Sequence, residues 1–314
     1  MLKKTIFEEL VKNGYSKING NKGWDISKRH FLYLTPELAK GFLKLKEFPR
    51  YKEIIVDSEI KLMKEALPSL VEKFPKTSFN LIDIYCGEGK KAISLLSHLK
   101  GDLKIRYCPL NPSEYLANLA QQNVANAGIE NVTAFKVNVS DCEQDSVRKF
   151  ISSLSKDKSY EKNVVLLLGS ILSSYDINDY LYHLSKSMKK GDYLIFGNGI
   201  RMGERLASLN TYKHPIWNEW FKHLMTGIGF SEKDLSYDAR FGNSRVEMFY
   251  TLLKDKTLEH EGSKIEFKAG DEVMVAKLYK YYYEELDKFC KMYFSDVKMF
   301  KDKQSEYVLV LCQK

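Results

Sequence analysis

The chain has 314 residues, 44% of them hydrophobic, and carries 49 basic against 41 acidic residues for a net charge of +8. That length fits one large domain or two small ones, and the mixed charge, with neither an arginine-rich arm nor a run of five like charges, makes a nucleic-acid partner unlikely. No apolar run reaches 18 residues and no signal-peptide pattern opens the chain, so we expect a cytoplasmic protein without a membrane partner, a monomer or weak dimer.

The chain opens with a lead over residues 1–60 that is predicted to be mostly helical. Its first stretch, MLKKTIFEELVKNGY, has an amphipathic helical pattern with charges throughout.

The most informative stretch follows at residues 79–92, FNLIDIYCGEGKKA. An apolar strand ends in the turn CGEG, and a helical pattern starts at once. Glycine tolerates unusual φ and lets backbone N–H groups approach a ligand. Two cofactors use this architecture: a dinucleotide, because Gly87-x-Gly89-x-x-Ala92 fits its fingerprint, and S-adenosylmethionine (SAM), whose ammonium group suits Asp83 in the strand. A glycine turn that binds no ligand is the third interpretation.

From residue 79 to about residue 200, strand and helix patterns alternate. The long apolar runs fit strands that are buried on both faces, and repeated β–α units imply a parallel sheet with right-handed crossovers. The five strands expected here are FNLIDIYC, LKIRYCPL, NVTAFKVNV, NVVLLLG and DYLIFGNG.

The end of the chain breaks this alternation. After a helix over YYYEELDKFCKMYF come two strands, SDVKMFKD and SEYVLVLCQK, with no helix between them. A terminal antiparallel hairpin after five parallel strands is typical of SAM methyltransferases, whereas dinucleotide domains commonly continue with a parallel strand. The predicted fold class is therefore α/β, a Rossmann-like class I SAM methyltransferase core with a seven-stranded sheet, plus a smaller α+β accessory domain.

Two regions outside the sheet pattern divide the chain into domains. We expect the methyltransferase core at 61–200 and 257–314, and an accessory substrate-binding or lid domain at 1–60 and 201–256. The late insert contains Trp217 and Trp220. Aromatic-rich inserts over the carboxyl edge of an open sheet commonly form a substrate lid; the alternative is an insert that only packs on the core.

Cysteine and histidine spacing favours neither disulfides nor a metal site. The five cysteines are odd in number and form no CxxC pair, and the six histidines have no metal-ligand spacing. Reduced thiols in a reducing compartment are expected.

Six short motifs together resemble a known family, the histidine-specific SAM-dependent methyltransferases, which include the ergothioneine-pathway L-histidine Nα-methyltransferase. The resemblance extends from about residue 33 to the end, and the order and spacing of the motifs are more specific than any one of them. The motifs are DIYCGEGKK (83–91), RYCPLNPSEYL (106–116), VNVSDCE (137–143), LLLGSILSS (166–174), RVEMFY (245–250) and FKAGDEV (267–273).

The resemblance implies a SAM site along successive strand ends. Gly87 and Lys91 would belong to the loop around the methionine part of SAM, with Tyr85 in place of the family's first loop glycine. Asn111 stands where an acid takes the ribose hydroxyls, although a simple turn residue before Pro112 is the alternative. Asp141 and Cys142 would contact adenine, although Asp141 also suits a helix N-cap. Gly169 and Ser170 would lie below the transferred methyl group.

The resemblance also implies substrate-binding residues. Glu247 matches the acid that reads the substrate side chain. A carboxylate inside an apolar strand needs a partner such as an imidazole, an ammonium or an arginine, unless the position faces solvent. Ser174 stands where an asparagine grips the α-amino group, and Phe249 replaces a small polar residue that helps to read imidazole. Two further positions, Tyr33 and Tyr51, lie near tyrosines that bind the substrate in the family. Either Asn210 or Tyr212 lies near another tyrosine, which would hold the substrate carboxylate.

These features predict a SAM-dependent N-methyltransferase that forms S-adenosylhomocysteine (SAH). Its substrate would be a small amine or amino acid, histidine-like or larger, bound at the interface of core and accessory domain with Glu247 and Ser174 as the catalytic residues. The replacements at Tyr85, Asn111 and Ser174 leave open a non-catalytic SAM-binding or partner-binding protein. The net charge leaves open a methyltransferase that acts on nucleic acid or protein.

Overall fold

The structure is a computed structural model that describes residues 2–18, 20–73, 77–99, 104–135, 142–154, 156–203, 209–301 and 307–314. The chain divides into two compact units, each built from two separate stretches. The first unit comprises Met1–Phe48 and Gly203–Lys280, and the second comprises Pro49–Met202 and Tyr281–Lys314.

The helices are short and amphipathic, and within the described residues none of them is both long and apolar enough to cross a membrane. In chain order they are α1 (Leu2–Asn13), α2 (Pro36–Glu47), α3 (Pro49–Tyr51), α4 (Ser58–Lys73), α5 (Lys90–Leu96), α6 (Glu114–Asn126), α7 (Gln144–Leu154), α8 (Ile177–Ser187), α9 (Leu209–Tyr212), α10 (Pro215–Ile228) and α11 (Tyr283–Tyr293).

The strands are β1 (Tyr15–Ile18), β2 (Asn21–Asp25), β3 (Phe79–Ile84), β4 (Ile105–Leu110), β5 (Val132–Ala134), β6 (Lys162–Leu167), β7 (Tyr193–Gly199), β8 (Leu235–Gly242), β9 (Arg245–Leu252), β10 (Lys256–His260), β11 (Ser263–Phe267), β12 (Glu272–Tyr279), β13 (Asp296–Lys301) and β14 (Tyr307–Gln313).

The second unit is built on a seven-stranded sheet in the order β13-β14-β7-β6-β3-β4-β5. The five strands from β3 to β7 pair in parallel, and β14 runs antiparallel to both β7 and β13. Every residue of β3 and β7 is buried, as expected for strands covered on both faces. The predicted α/β class, with its seven strands and terminal antiparallel hairpin, is confirmed.

This strand order determines where a ligand can bind. The carboxyl ends of the parallel strands share one edge of the sheet, so the turns after β3, β4, β6 and β7 follow that edge. Strand β3 has β4 on one side and β6 on the other, so the chain reverses its direction of travel across the sheet there. Open α/β sheets bind ligands at the carboxyl ends of their strands beside such a reversal.

A continuous helical stretch leads into this sheet. Between α3 and α4 the six residues Lys52–Asp57 wind as a π-helix, and the Ser58 hydroxyl then donates to the Glu53 carbonyl at 2.9 Å. Segments of π-helix are rare and often accompany functional sites. The stretch places Tyr51 and Glu59 in the second unit.

The first unit is built on a five-stranded sheet in the order β1-β2-β12-β9-β8, with a separate β10–β11 hairpin. Helices α2 and α10 pack closely at Gly41: a Cβ added there would lie 2.8 Å from the Trp220 ring. The Trp220 indole donates to the Leu38 carbonyl at 2.9 Å. The lead predicted as mostly helical therefore also supplies two strands.

The two units differ from the predicted domains at three boundaries. Residues 49–60 and 201–202 belong to the second unit, whereas residues 257–280 belong to the first. The position of residues 257–280 has a direct cause: β12 pairs in parallel with β2 and antiparallel with β9, so it completes the first unit's sheet.

Candidate functional site

The turn after β3 has left-handed backbone at three residues. The φ angle is +57° at Tyr85, +57° at Gly87 and +77° at Gly89. A Cβ on Gly89 would lie 3.2 Å from the Cα atom and from the carbonyl oxygen of Ala120 in α6. The glycines thus let the turn bend sharply while α6 packs directly against it, which is the backbone conformation expected of a ligand-binding glycine turn.

Tyr85 is the unusual member of this turn. A non-glycine residue in the left-handed region costs about 1–2 kcal/mol, and such strain persists only where the surroundings impose it. Its hydroxyl lies 2.8 Å from that of Tyr175, directly after the 3₁₀ turn Leu172–Ser174. Burial raises the pKa of Tyr175. The hydroxyl pair links the turn after β3 to the turn after β6.

Asp83, predicted to meet the ammonium group of SAM, is buried near the end of β3. One of its carboxylate oxygens accepts the Tyr107 hydroxyl at 2.8 Å. Burial first, and Asp83 second, raise the pKa of Tyr107, so this hydroxyl remains a donor at neutral pH. Tyr107 therefore orients Asp83, a contact that the sequence pattern did not reveal.

Asn111 directly follows β4, and one of the two polar atoms of its side chain already has a partner. Its Oδ1 atom accepts the Ser113 backbone N–H at 2.9 Å, as in an Asx turn. Its Nδ2 atom is buried and has no hydrogen-bond partner among the residues that the structure describes. A buried donor of this kind requires a partner. An acceptor oxygen from a ligand would satisfy it, and the predicted ribose contact would supply one.

The turn after β6 also has left-handed backbone, with φ of +85° at Gly169 and +58° at Ser170. The Ser170 hydroxyl accepts the Gly199 N–H at 3.1 Å, and the Ser170 N–H donates to the Gly197 carbonyl at 3.1 Å. Ser174 lies four residues later, and its buried hydroxyl has no partner within the described parts of the chain. The turn is thus anchored to β7 while one hydroxyl is left for a ligand.

Lys91 meets a buried carboxylate that sequence analysis missed. Glu59, fully buried in α4, accepts the Lys91 ammonium on Oε2. Its Oε1 accepts the Gly169 backbone N–H at 2.9 Å and the Tyr307 hydroxyl at 2.7 Å. The sequence shows Glu59 only as one acid in an amphipathic helix, so no local signal identifies its partners.

A glycine in β7 leaves space for the Glu59 carboxylate. A Cβ on Gly197 in β7 would lie 1.8 Å from Glu59 Oε1. Burial, and then Glu59, raise the pKa of Tyr307. We define the Glu59 cluster as Glu59, Lys91, Gly169 and Tyr307. The predicted substrate residue Tyr51 ends α3, in the same unit as this cluster.

Of the predicted adenine contacts, Cys142 is buried just before α7. Burial raises the pKa of Cys86, and Asp83 and then Cys142 add to this. Asp141 lies outside the described residues, and its role stays a prediction.

In the first unit, both oxygens of Glu247 are engaged by arginines. Arg240 Nε donates to Oε2 at 2.8 Å, and Arg245 donates to Oε1 through Nε at 2.8 Å and through a terminal nitrogen at 2.6 Å. Arg240 also reaches Glu272 at 2.6 Å. The partner that a buried carboxylate needs is thus internal.

A local signal could have revealed this contact. Residues Asn243 and Ser244, with φ of +52° and +56°, form a two-residue loop between β8 and β9. Such loops determine the register of a hairpin, and counting back from this one pairs Arg240 with Glu247.

Two other predicted substrate residues have surroundings of different character. The Phe249 ring has the Arg240 guanidinium 4.4 Å from its centroid. Tyr33 is only 1% exposed, and its hydroxyl accepts from Arg29 at 2.7 Å. Phe249 thus lies beside the ion pair of Arg240 and Glu247, whereas Tyr33 packs in the aromatic core with Phe42 and Trp220.

Tyr212 and Lys280 come together. Tyr212 is buried at the end of α9, whereas Asn210 in the same helix is exposed. The Lys280 ammonium lies 5.3 Å from the centroid of the Tyr212 ring, and Lys280 is only 6% exposed. Among the described residues no carboxylate pairs with this ammonium, so a buried cation stands beside a residue predicted to hold the substrate carboxylate.

Several solved structures are distantly similar to this chain. A SAM-dependent methyltransferase from Clostridium acetobutylicum is 14% identical, with a TM-score of 0.44 over 87% of this chain and 98% of that one. The PH0226 protein from Pyrococcus horikoshii is 14% identical, with a TM-score of 0.45 over 89% and 100%. The DhpI–SAM–HEP complex is 11% identical, with a TM-score of 0.36 over 89% and 99%. These scores are too low to decide the function.

The match of the sequence to a protein family is more specific than these structural likenesses. No curated protein matches it, but residues 40–314 match the family described as "Histidine-specific methyltransferase, SAM-dependent". That match includes both turns with left-handed backbone, the Glu59 cluster and Glu247. The chain therefore belongs to the family of histidine-specific methyltransferases that depend on SAM.

Proposed function

We propose that the protein transfers the methyl group of SAM to the nitrogen of a small amine or amino acid. The observation that carries this proposal is the row of turns after β3, β4 and β6. They combine left-handed backbone with two buried side-chain atoms, Asn111 Nδ2 and Ser174 Oγ, that have no partner among the described residues. Such atoms are costly to bury, so a bound ligand is their natural partner.

The cofactor residues proposed are those of this row. Tyr85, Gly87 and Lys91 would surround the methionine part, with Asp83 toward its ammonium group. Bound SAM supplies an electrophilic methyl group on a sulfonium. The remaining residues proposed for the nucleoside and the methyl end are Asn111, Asp141, Cys142, Gly169 and Ser170.

Asn111→Ala is expected to weaken SAH binding about tenfold, because the ribose loses a hydrogen bond and the Asx turn loses its acceptor. Asn111→Asp keeps that acceptor and offers the ribose hydroxyls a carboxylate oxygen, so it should bind SAH at least as tightly as wild type. Titration calorimetry with SAH measures both. Wild-type affinity in Asn111→Ala would show that Asn111 is only a turn residue.

The chain must position the acceptor rather than activate it. A neutral amine already carries the lone pair that attacks, so the protein has to hold its nitrogen about 3 Å from the methyl carbon and in line with the leaving sulfur. The buried Ser174 hydroxyl can accept an N–H of the amine and so direct the lone pair. Tyr175 follows Ser174 directly in the chain, and its raised pKa makes its hydroxyl a neutral group rather than a base.

The surroundings of Lys280 favour an acceptor that carries a carboxylate. A buried ammonium is costly unless an anion pairs with it, and the adjacent Tyr212 offers an aromatic face and a hydroxyl. An α-amino acid presents both a carboxylate and a methylatable amine. This supports amino acids over simple amines.

Lys280→Met is expected to raise KM for amino-acid acceptors about 30-fold, since a charged hydrogen bond contributes roughly 2 kcal/mol. It should leave KM for the matching decarboxylated amines within about twofold, because these lack the paired group. Steady-state assays of SAH formation on matched pairs test this. Equal losses for both members of a pair would remove Lys280 from the carboxylate site.

Histidine is not favoured as the acceptor by the arrangement around Glu247. Both carboxylate oxygens already accept from Arg240 or Arg245. In addition, Phe249 stands where the resemblance implies a small polar residue that helps to bind imidazole. An imidazole would compete with two arginines for the same oxygens. We therefore place a larger or more apolar amino acid ahead of histidine among the candidates.

The proposal is tested in two steps. Calorimetry with SAM and SAH should show binding in the micromolar range, and a panel of amino acids and amines should then release SAH with at least one of them. Failure to bind either nucleoside would overturn the proposal. Binding without turnover on any acceptor would favour the non-catalytic alternative, which the replacements at Tyr85 and Ser174 support.

A further inference from the structure

One carboxylate draws together five elements of the second unit. Glu59 in α4 accepts from Lys91 in α5, from the backbone of Gly169 after β6 and from Tyr307 in β14. Gly197 in β7 has no side chain, which leaves space for the Glu59 carboxylate. Glu59 is fully buried and the Lys91 side chain is 13% exposed. Three hydrogen-bond donors therefore surround this one buried carboxylate.

The charge of this cluster matters for the ligand proposed beside it. Lys91 and Glu59 together are neutral, and Tyr307 is an uncharged donor because its pKa is raised by burial. A lone lysine ammonium at this place would repel a second cation. SAM carries a sulfonium charge, whereas SAH, its demethylated product, carries a neutral thioether and is otherwise the same.

We propose that Glu59 is a positioning residue that neutralises Lys91, so that the cationic sulfonium of SAM binds beside this lysine and is not disfavoured relative to SAH. The inference rests on the proposed placement of SAM at these turns. The same carboxylate holds Gly169 and the Lys91 ammonium in place, so charge and position are set by one residue.

The test is the ratio of the dissociation constants of SAM and SAH, measured by calorimetry. Glu59→Gln leaves the lysine charge uncompensated, and one unit charge acting over about 10 Å at an effective dielectric constant of about 20 changes an affinity by roughly tenfold. The SAM-to-SAH ratio should therefore rise about tenfold in this variant. Lys91→Met leaves the carboxylate uncompensated and should shift the ratio in the opposite direction.

Two further variants separate charge from packing. The double variant Glu59→Gln with Lys91→Met is again neutral, and its ratio should return to within about threefold of wild type even if both affinities are lower. Tyr307→Phe removes a hydrogen bond from the same oxygen without a change of charge and should leave the ratio unchanged. Thermal unfolding establishes that each variant is folded.

The outcomes are distinct. If Glu59→Gln weakens SAM and SAH by the same factor, Glu59 is only a scaffold and the inference fails. If Glu59→Gln does not fold, the sign of the shift in Lys91→Met decides, and an unchanged or opposite sign overturns the inference. If wild type binds neither nucleoside, the proposed function fails first.

Discussion

Glu247→Ala is expected to lower the free energy of unfolding by about 2–4 kcal/mol, because it leaves two guanidinium groups without their shared carboxylate. Arg240 keeps Glu272, but Arg245 loses its ion pair in a strand where Glu247 is 9% exposed. Turnover should fall strongly while SAH affinity stays near wild type, since the proposed cofactor residues belong to the other unit. Urea denaturation and SAH calorimetry measure the two effects.

Glu259→Ala is the matched control for this change. Glu259 pairs with Lys264 at 2.6 Å across the β10–β11 hairpin, but both side chains are about 60% exposed. Exposed ion pairs contribute little, so this variant should unfold like wild type. Unchanged turnover in Glu247→Ala would show that Glu247 stabilises the first unit and does not contact the substrate.

The same carboxylate makes stability depend on pH. Burial alone would raise the pKa of Glu247, but hydrogen bonds from Arg245 and Arg240 outweigh it and hold the pKa below the ordinary value of 4.5. A lowered folded-state pKa stabilises the fold above the unfolded-state value, and this contribution is lost as the pH falls through the folded-state pKa. Wild type and Glu247→Gln should therefore differ most above pH 4.5 and converge below it, as denaturation at several pH values would show. A difference that stays constant as the pH falls would contradict the ion pairs.

Gly89→Ala is expected to weaken SAM and SAH binding by at least tenfold and to cost about 1–2 kcal/mol of stability. The φ angle of +77° strains any side chain, and the new methyl group would meet the backbone of Ala120 at 3.2 Å. The two nearest atoms are backbone atoms of α6, so the turn and α6 must move apart slightly, and we expect the proposed cofactor contacts to be disturbed. Calorimetry and thermal unfolding measure the two losses.

Gly242→Ala adds the same methyl group where nothing lies within 4 Å and the backbone is not left-handed. It should bind both nucleosides like wild type. If Gly89→Ala also binds like wild type while losing stability, the turn after β3 is a packing feature and the cofactor binds elsewhere.

The sheet of the second unit could be predicted from sequence because its signals are local. Apolar runs of five to eight residues, separated by helical periods, identify β3, β4, β6 and β7 and their parallel order. The terminal β13–β14 hairpin followed from two strands with no helix between them. The glycine turn after β3 was equally readable, because its conformation depends on the residues within it.

The predictions for the first unit were weaker for a physical reason. Its sheet joins β2 from the lead to β12, about 250 residues later, and no local pattern specifies such a pairing. The strands β1 and β2 are four and five residues long, so the helical character of the lead concealed them. Because β12 pairs with β2 and β9, the first unit extends to Lys280, beyond the predicted boundary at residue 256.

By itself the sequence determined the α/β class, the terminal hairpin, the glycine turn and the family, because each depends on residues close together in the chain. Only the tertiary structure decided which charges face one another. Glu59 meets Lys91 and Tyr307, Tyr107 meets Asp83, and Lys280 stays unpaired among the described residues beside Tyr212. The residue type gives the charge of a side chain, but the partner of that charge depends on how elements distant in the chain pack together.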